Sequence, residues 1–241
     1  MRPAWLVRPA RLAEAKRRGA DVPINLQTLL EGADRGDRPR AAVLTMELQR
    51  GVMGDLASFP ELAAAAAEGN VVANAARLLR SARAAGVPVV HCTAEFRPDR
   101  AGTVINTPLH SAVLRRPEHM LAGTSATEVL PELEPGPADL WCWRAHGVSP
   151  FTGTSLDTIL RNLGVHVVIP TGVSVNVAIT GLCIEAVNLG YQVVLPRDAV
   201  AGVPPSYART VIENSLSLIT LVTTVDDIIA ALPAPADRAS G

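Results

Sequence analysis

The sequence has few aromatic residues, few cysteines and no excess of charge of either sign. Its three cysteines, Cys92, Cys142 and Cys183, form no CxxC pair and no metal-ligand spacing, which argues against a disulfide framework and favours a reducing compartment. With a net charge of -1 and scattered arginines, nothing indicates a nucleic-acid partner. No apolar run reaches the ~18 residues that span a bilayer, and no signal peptide is recognisable. We therefore expect a cytoplasmic protein that does not bind membranes.

The composition is that of a globular protein with one main domain. Hydrophobic residues make up 48% of the 241 residues and charged residues 19%, which is enough apolar material for one sizeable core. Residues 1–40 are rich in Arg, Ala and Gly and are predicted to form an N-terminal extension, with one short helix near 10–18. The domain itself is predicted over 41–232, followed by a flexible tail at 233–241.

Within this domain, predicted strands alternate with predicted helices. The strands are continuous apolar runs, as expected when helices cover both faces of a parallel sheet. The sequence therefore predicts an α/β fold of the Rossmann-like, three-layer type, with a doubly wound, mostly parallel six-stranded sheet flanked by helices. Residues 94–137 have little periodicity, which in a compact domain is typical of functional or lid-like segments. The predicted strands are 41–47, 87–92, 139–144, 166–171, 191–196 and 217–223, and the predicted helices are 60–85, 154–163, 175–189, 205–216 and 225–232.

Polar side chains at the ends of these strands mark the expected ligand site. In doubly wound sheets, ligands bind beyond the carboxyl ends of the strands. Glu47 ends the first predicted strand, Glu95 follows the second, Arg144 ends the third and Thr171 ends the fourth. We therefore expect these residues to surround a common crevice.

Four motifs accompany the strands in a fixed order. Residues 45–49 (TMELQ) end the first strand, residues 151–157 (FTGTSLD) follow Arg144, residues 171–178 (TGVSVNVA) join the fourth strand to a helix, and residues 190–194 (GYQVV) begin the fifth strand. Over roughly residues 41–223 this arrangement resembles the isochorismatase-like (cysteine hydrolase) superfamily. The resemblance implies a hydrolase that acts on a small molecule, forms homo-oligomers and needs no cofactor.

The catalytic positions depart from the family pattern. The family's Asp-Lys-Cys triad maps to Glu47, Arg144 and Ala178. Which residue takes the place of the family's lysine remains open. Counting back from the motif at 151–157 aligns Ala145 with the lysine, whereas Arg144 requires a one-residue insertion. His146 is a second candidate. Alanine has no nucleophile, so acyl-enzyme amidase chemistry is not expected at this position.

The resemblance also implies roles for the residues around the crevice. Glu47 would act as general acid and base, while Arg144 and the helix N-terminus at 174–178 would bind negative charge. A non-proline cis peptide is expected at Val173–Ser174. The metal-ligating Asp-x-His of nicotinamidases has no counterpart, since residues 51–59 contain Asp55 but no histidine, and we expect no metal. The predicted substrate-binding residues are Gln49, His146, Phe151, Gly172, Val173, Ser174, Asn176 and Val177.

Three functions remain open at this point. The first is a cysteine-independent hydrolase of a small anionic molecule, for which vinyl-ether hydrolysis of the isochorismatase type is suitable chemistry. The second is a catalytically inactive module on the same fold that binds a ligand or serves assembly. The third is an amidase that uses Cys92 or Cys142 instead of the missing thiol.

Overall fold

A parallel sheet forms the centre of the fold. The computed structural model describes residues 26–31, 41–116 and 118–233, and within these ranges it contains seven strands that all pair in parallel. Their order is β3-β2-β1-β4-β5-β7, and β6 pairs with the distal end of β4. The strands are β1 (Ala41–Met46), β2 (Val89–Ala94), β3 (Leu140–Arg144), β4 (Val167–Val173), β5 (Gln192–Pro196), β6 (Val200–Ala201) and β7 (Leu221–Thr223).

The sheet confirms the predicted fold class and five of its strands within a few residues at each end. The predicted strand 217–223 is shorter than expected, because residues Leu216–Leu218 form a 3-10 helix and only the last three residues pair. The two-residue strand β6 was not predicted, since a run that short has no periodicity to detect.

Helices cover both faces of the sheet. The predicted helix 60–85 is divided into two helices, Pro60–Glu68 and Val71–Ala84, because Asn70 adopts a left-handed conformation (φ 53°) that an α-helix cannot contain. The predicted helix 175–189 begins as a π-helix at Val175–Ile179 and continues as α7. The α-helices are α1 (Leu26–Glu31), α2 (Arg50–Met53), α3 (Pro60–Glu68), α4 (Val71–Ala84), α5 (Pro108–Val113), α6 (Leu156–Asn162), α7 (Thr180–Asn188), α8 (Pro205–Asn214) and α9 (Val225–Ala231).

The alternation of side chains along β1 creates two hydrophobic cores. Val43 belongs to the core that includes Leu79 of α4, whereas Leu44 belongs to the core that includes Leu182 of α7. All six residues of β1 are buried, which explains why five of them are apolar rather than every second one; the exception, Thr45, has its hydroxyl oxygen 2.9 Å from Nδ1 of His91.

Part of the predicted N-terminal extension packs against the domain. Helix α1 contacts α9, and Leu30 is fully buried in the core on that side of the sheet. The predicted helix near 10–18 and the predicted tail from 234 onward lie outside the described residues. The division into extension, domain and tail therefore stays a prediction.

The strand register brings the motif-bearing ends together. Met46 pairs with Gly172, and Ala94 pairs with Arg144, so the carboxyl ends of β3, β2, β1 and β4 lie side by side. Strand β2 lies on one side of β1, and β4 lies on its other side, so the strand order reverses its direction at β1. This is the topological position at which a crevice opens in doubly wound sheets.

Candidate active site

A cavity of about 330 Å³ opens at this edge of the sheet. The ends of β1, β2 and β3 contribute Glu47, which follows β1, together with Ala94 and Arg144. The turn after β4 contributes Ser174, Asn176, Val177 and Ala178. The remaining walls come from the loop after β3, from the loop before α8, and from two segments that cover the sheet edge, 52–62 and 96–120. Those remaining lining residues are Val52, Phe59, Glu61, Leu62, Phe96, Leu109, His110, Val113, His119, Met120, His146, Gly147, Val148 and Val203.

Glu47 is the first residue after β1 and turns the chain away from the sheet. Its φ of 54° lies in the left-handed region, and its backbone N–H donates to the carbonyl of Cys92 over 3.0 Å. The side chain enters the cavity lining and is 18% exposed. An uncommon backbone conformation for a non-glycine residue at such a position is a feature of functional sites.

Arg144 ends β3 and forms an ion pair with Glu47. Its Nη2 donates to Oε1 of Glu47, and its Nε makes a long hydrogen bond of 3.5 Å to the carbonyl of Gly147. The guanidinium is only 6% exposed. Among the described residues, no acceptor lies within hydrogen-bond distance of the buried Nη1. A buried guanidinium nitrogen without a partner is costly, because its N–H groups have lost water without gaining an acceptor.

Ala178 contributes its methyl group to the same cavity. It lies in the π-helix that follows the cis peptide bond between Val173 and Ser174, and it is 5% exposed. Ser174 accepts backbone hydrogen bonds from Val177 and Ile179 through its carbonyl oxygen, which starts the turn. The structure therefore brings the three positions of the predicted triad, Glu47, Arg144 and Ala178, to one cavity, and it contains the cis peptide expected there.

Of the other predicted binding residues, four line the cavity: His146, Ser174, Asn176 and Val177. The amide of Asn176 is used within the protein, because it donates to the carbonyl of Val203 over 2.7 Å and accepts from the Val203 N–H over 3.1 Å. Its side chain holds the loop before α8 against the π-helix. His146 and Arg144 both reach the cavity, but only Arg144 pairs with Glu47, and Ala145 is not among the lining residues.

Four predicted binding residues lie behind the cavity wall. Gln49 is fully buried and holds β2 to the 3-10 turn at Ser125–Thr127: it donates to the carbonyls of Ala94 and Thr127 and accepts from the Ala94 N–H. Phe151 packs in the core with its ring 5.9 Å from that of Tyr191. Val173 is buried in the core on the other face, and Gly172 lies in β4 against β1. These four residues shape the site without lining it.

The cysteines lie away from the cavity. None of the three is among its lining residues, and all are buried. Burial raises the pKa of Cys92 well above its usual range and that of Cys183 to about 12. The Cys142 thiol lies 3.3 Å from the Thr154 hydroxyl oxygen. The raised pKa values of Cys92 and Cys183, and the position of all three thiols outside the lining, do not favour the amidase hypothesis, because the thiolate is the reactive form.

Sequence reasoning missed the residues that cover the cavity. The stretch 94–137, for which the sequence predicts only an irregular functional or lid-like segment, contains four of them: Phe96, His110, His119 and Met120. The hydrogen bonds Phe96 N–H to Met120 and Ala122 N–H to Phe96 hold this segment to the end of β2. The only sequence signal was the presence of two histidines in an aperiodic segment.

The two histidines of the covering segment differ in their surroundings. His110 is buried, its backbone N–H donates to the capping hydroxyl of Thr107, and its Nδ1 lies 3.1 Å from the side-chain oxygen of Asn106. His119 contacts the Ser58 hydroxyl through Nδ1 at 2.8 Å. Burial, together with neighbouring arginines, lowers the pKa of His119 to about 4, so it is neutral at physiological pH.

The described residues contain no group of three or more His, Cys, Asp and Glu side chains that could hold a metal ion. No helix in the described ranges has the length and apolar character needed to cross a membrane.

The doubly wound parallel sheet, with an acid–cation pair in a cavity at its carboxyl edge, defines an α/β protein with a candidate active site. Residues 41–227 match the model of the isochorismatase domain, and the chain therefore belongs to the isochorismatase family. It is an isochorismatase-like hydrolase.

Named relatives and solved structures agree with this assignment. The chain is 29% identical over 208 residues to a ureidoacrylate amidohydrolase RutB from Rhizobium rhizogenes, covering 79% of this chain and 82% of the relative. An isochorismatase family protein from Burkholderia thailandensis has 26% identity and a TM-score of 0.67, covering 80% of this chain and 95% of that one. The N-carbamoylsarcosine amidase from Thermoplasma acidophilum has 22% identity and a TM-score of 0.61, over 78% of this chain and 97% of that one, and shows the shared fold.

Proposed function

We propose that this protein hydrolyses a small anionic molecule without a cysteine nucleophile, with Glu47 as general acid and base and Arg144 binding the negative charge. The observation that carries this proposal is the difference between the two terminal nitrogens of the Arg144 guanidinium. One of its arms pairs with Glu47, and the other ends in a buried nitrogen that lacks an acceptor. An anion bound to that nitrogen would lie next to the Glu47 carboxyl group. The start of the π-helix, at 174–178, would add backbone donors to the same region.

The proposal does not use a covalent intermediate. Ala178 occupies the place where the family resemblance implies the thiol, and the three cysteines are buried outside the cavity. A reaction that needs only a proton and water is compatible with this set of residues. Hydrolysis of an enol ether is such a reaction, because the carbon–carbon double bond can accept a proton directly.

The steps can be written with their protons balanced. The substrate carboxylate binds Nη1 of Arg144, beside the Glu47 carboxyl group. Glu47 gives its proton to the enol-ether carbon, and water adds to the resulting cation. The hydrated adduct separates into a keto acid and an alcohol, and the proton lost by the water returns to Glu47. Proton transfer of this kind contributes roughly 10²- to 10⁴-fold in rate.

Product release from two substrate types tests the proposal. Purified protein is incubated with isochorismate, and pyruvate is followed with a coupled lactate dehydrogenase assay, while ureidoacrylate serves as the amide substrate. We expect pyruvate release and no ureidoacrylate hydrolysis. Glu47→Gln should remove the activity, whereas Glu95→Gln, which changes a strand-end carboxylate outside the cavity lining, should retain it. Full activity of Glu47→Gln, or hydrolysis of ureidoacrylate alone, contradicts the proposal.

A catalytically inactive ligand-binding module is the second candidate, and Ala178 is the observation that favours it. This alternative predicts that an anion binds at Arg144 without being converted. Isothermal titration calorimetry with isochorismate, followed by chromatography of the recovered ligand, distinguishes the two candidates. Binding with quantitative recovery supports the inactive module, and conversion to pyruvate excludes it.

We also propose that the protein is a homo-oligomer, as the family resemblance implies, and that it is cytoplasmic, as its scattered cysteines suggest. Exposed tryptophans on β3, at the outer edge of the sheet, support an interface: Trp141 and Trp143 both present their side chains to solvent in the single chain. Light scattering coupled to size-exclusion chromatography tests this point, and a monomer at all concentrations contradicts it.

A further inference from the structure

Three histidines of the described chain line the cavity together with the Glu47–Arg144 pair. His110 lies in α5 and His119 follows it in the same covering segment, whereas His146 lies in the loop after β3. The reaction proposed above uses none of them. An imidazole with a free lone pair at neutral pH can act as a general base, so the surroundings of each ring decide which one is suited to that role.

A hydrogen bond fixes the ring of His110, which is 8% exposed. Its Nδ1 lies 3.1 Å from Oδ1 of Asn106. Because a carbonyl oxygen accepts hydrogen bonds and cannot donate them, this contact places the ring proton on Nδ1 and leaves the lone pair on Nε2. No described residue forms a hydrogen bond to Nε2. One ring nitrogen is thus committed to the protein, and the other is available to a ligand or to water.

The other two histidines lack this combination. Nδ1 of His119 lies 2.8 Å from the hydroxyl oxygen of Ser58, which can donate as well as accept, so the contact does not fix the ring proton. Burial and neighbouring arginines lower the pKa of His119 to about 4, which makes it a weak base. His146 is exposed, and in the described ranges its ring has no hydrogen-bond partner to orient it.

We infer that His110 is a second catalytic residue, which takes a proton from the attacking water through Nε2, and that Asn106 is its positioning residue. This inference rests on the proposed function for the identity of the reaction. Glu47 lies at the sheet edge and His110 on the helix that covers it, so the acid and the base belong to different walls of the cavity. A substrate held at Arg144 can then receive a proton from one wall and water from another.

The protons of the enol-ether reaction stay balanced with His110 included. Glu47 gives its proton to the double-bond carbon and becomes a carboxylate. The water oxygen forms the new bond to the cationic carbon, while one water proton moves to Nε2 of His110. The bond from this carbon to the alcohol oxygen then breaks, the imidazolium gives its proton to that oxygen, and the hydroxyl proton of the adduct passes to Glu47. Both residues return to their starting states, and one water is consumed.

The position of the ring proton tests the inference without requiring turnover. Long-range proton–nitrogen NMR correlation spectra distinguish protonated from unprotonated ring nitrogens, and the signals lost in His110→Asn identify this residue. In mildly alkaline buffer we expect a proton on Nδ1 and none on Nε2. Asn106→Leu should remove this preference, whereas Asn106→Asp, which keeps an acceptor oxygen, should retain it. A protonated Nε2 in the wild type overturns the inference.

Kinetics of matched variants test the catalytic role itself. His110→Asn keeps a donor in place of Nδ1, and with it the contact to Asn106, but removes Nε2. With isochorismate we expect kcat to fall roughly 10²-fold or more while KM changes little, and we expect added imidazole to restore part of the activity of His110→Ala. His166→Asn, at an exposed histidine outside the lining, should retain kcat. An unchanged kcat in His110→Asn overturns the inference, because a merely structural role needs only the contact to Asn106.

These outcomes separate the role of His110 from the proposed reaction. Pyruvate release that is lost in Glu47→Gln but unchanged in His110→Asn keeps the reaction and overturns the role of His110. If the wild type releases no pyruvate, the proposed reaction fails and the ring-proton measurement alone decides. An unprotonated Nε2 then supports His110 as the base of this cavity, and a protonated Nε2 overturns it.

Discussion

Replacing Arg144 by methionine isolates the carboxylate of Glu47 at the sheet edge. Methionine keeps the length of the side-chain stem, so the change removes the charge and the hydrogen bonds with little loss of packing volume. Arg144 is 6% exposed and Glu47 is 18% exposed. The carboxylate therefore cannot recover full hydration when its partner is removed.

The size of the effect follows from this partial burial. Removing one partner of a fully buried ion pair costs about 3–5 kcal/mol. Because Glu47 retains some contact with water, we expect Arg144→Met to lower the free energy of unfolding by about 2–3 kcal/mol. In a chain of this size, about 1 kcal/mol shifts Tm by about 2–4 °C, so the expected fall in Tm is on the order of 6 °C.

A double-mutant cycle separates the ion pair from the effects of the individual residues. The free energy of unfolding is measured in urea for the wild type, E47Q, R144M and the double variant. We expect the double variant to be more stable than the sum of the single losses predicts, with a coupling of about 1.5 kcal/mol or more. Arg50→Met is the control, because its partners Asp55 and Glu128 are well exposed and its loss should cost much less.

Additive losses in the cycle would refute this reasoning. Additivity would mean that Glu47 and Arg144 do not interact in solution, and it would remove the basis for an anion site organised by their pairing. A loss in R144M no larger than in Arg50→Met would lead to the same conclusion.

Three further predictions concern stability. Gly172→Ala should cost more than about 3 kcal/mol in urea unfolding, because φ is +106° and the new Cβ would clash with the backbone carbonyl oxygen of Met46 in β1. Gly164→Ala, at φ +73° with open space around it, should cost only about 1–2 kcal/mol, and equal losses in the two variants would contradict this expectation. Burial lowers the pKa of His119 from 6.5 to about 4, so the unfolded chain takes up a proton more readily than the folded one. The free energy of unfolding should therefore fall as the pH drops from 6.5 towards 4. Urea unfolding at several pH values should show that this dependence is weaker in His119→Gln. Gln49→Leu should lower the free energy of unfolding by at least about 3 kcal/mol, since it leaves the Ala94 N–H and the carbonyls of Ala94 and Thr127 without their hydrogen bonds to Gln49. A loss below about 1 kcal/mol in thermal or urea unfolding would show that these bonds are not formed.

Local sequence patterns were sufficient for the six longer strands and the main helices, but they missed some element ends, the short helices α1, α2 and α5, and the strand β6. The apolar runs of β1 and β4 indicated buried parallel strands because helices cover both faces of the sheet. The break between α3 and α4 was missed, since the alanine-rich pattern continues through Asn70 and only the backbone conformation interrupts it. Strand β6 was missed because its position depends on the rest of the sheet. It pairs with Gly172 and Val173, beyond the part of β4 that pairs with β5.

The sequence by itself determined the alternation of the main strands and helices and the absence of a thiol at residue 178, because these depend on residue type and spacing along the chain. Only the tertiary structure decided that Arg144 rather than His146 pairs with Glu47, 97 residues away, since this depends on the register of β3 against β2 and of β2 against β1. It also decided which residues of 94–137 cover the cavity. An aperiodic segment is positioned by long-range hydrogen bonds such as those of Gln49 and Phe96, which no local pattern encodes.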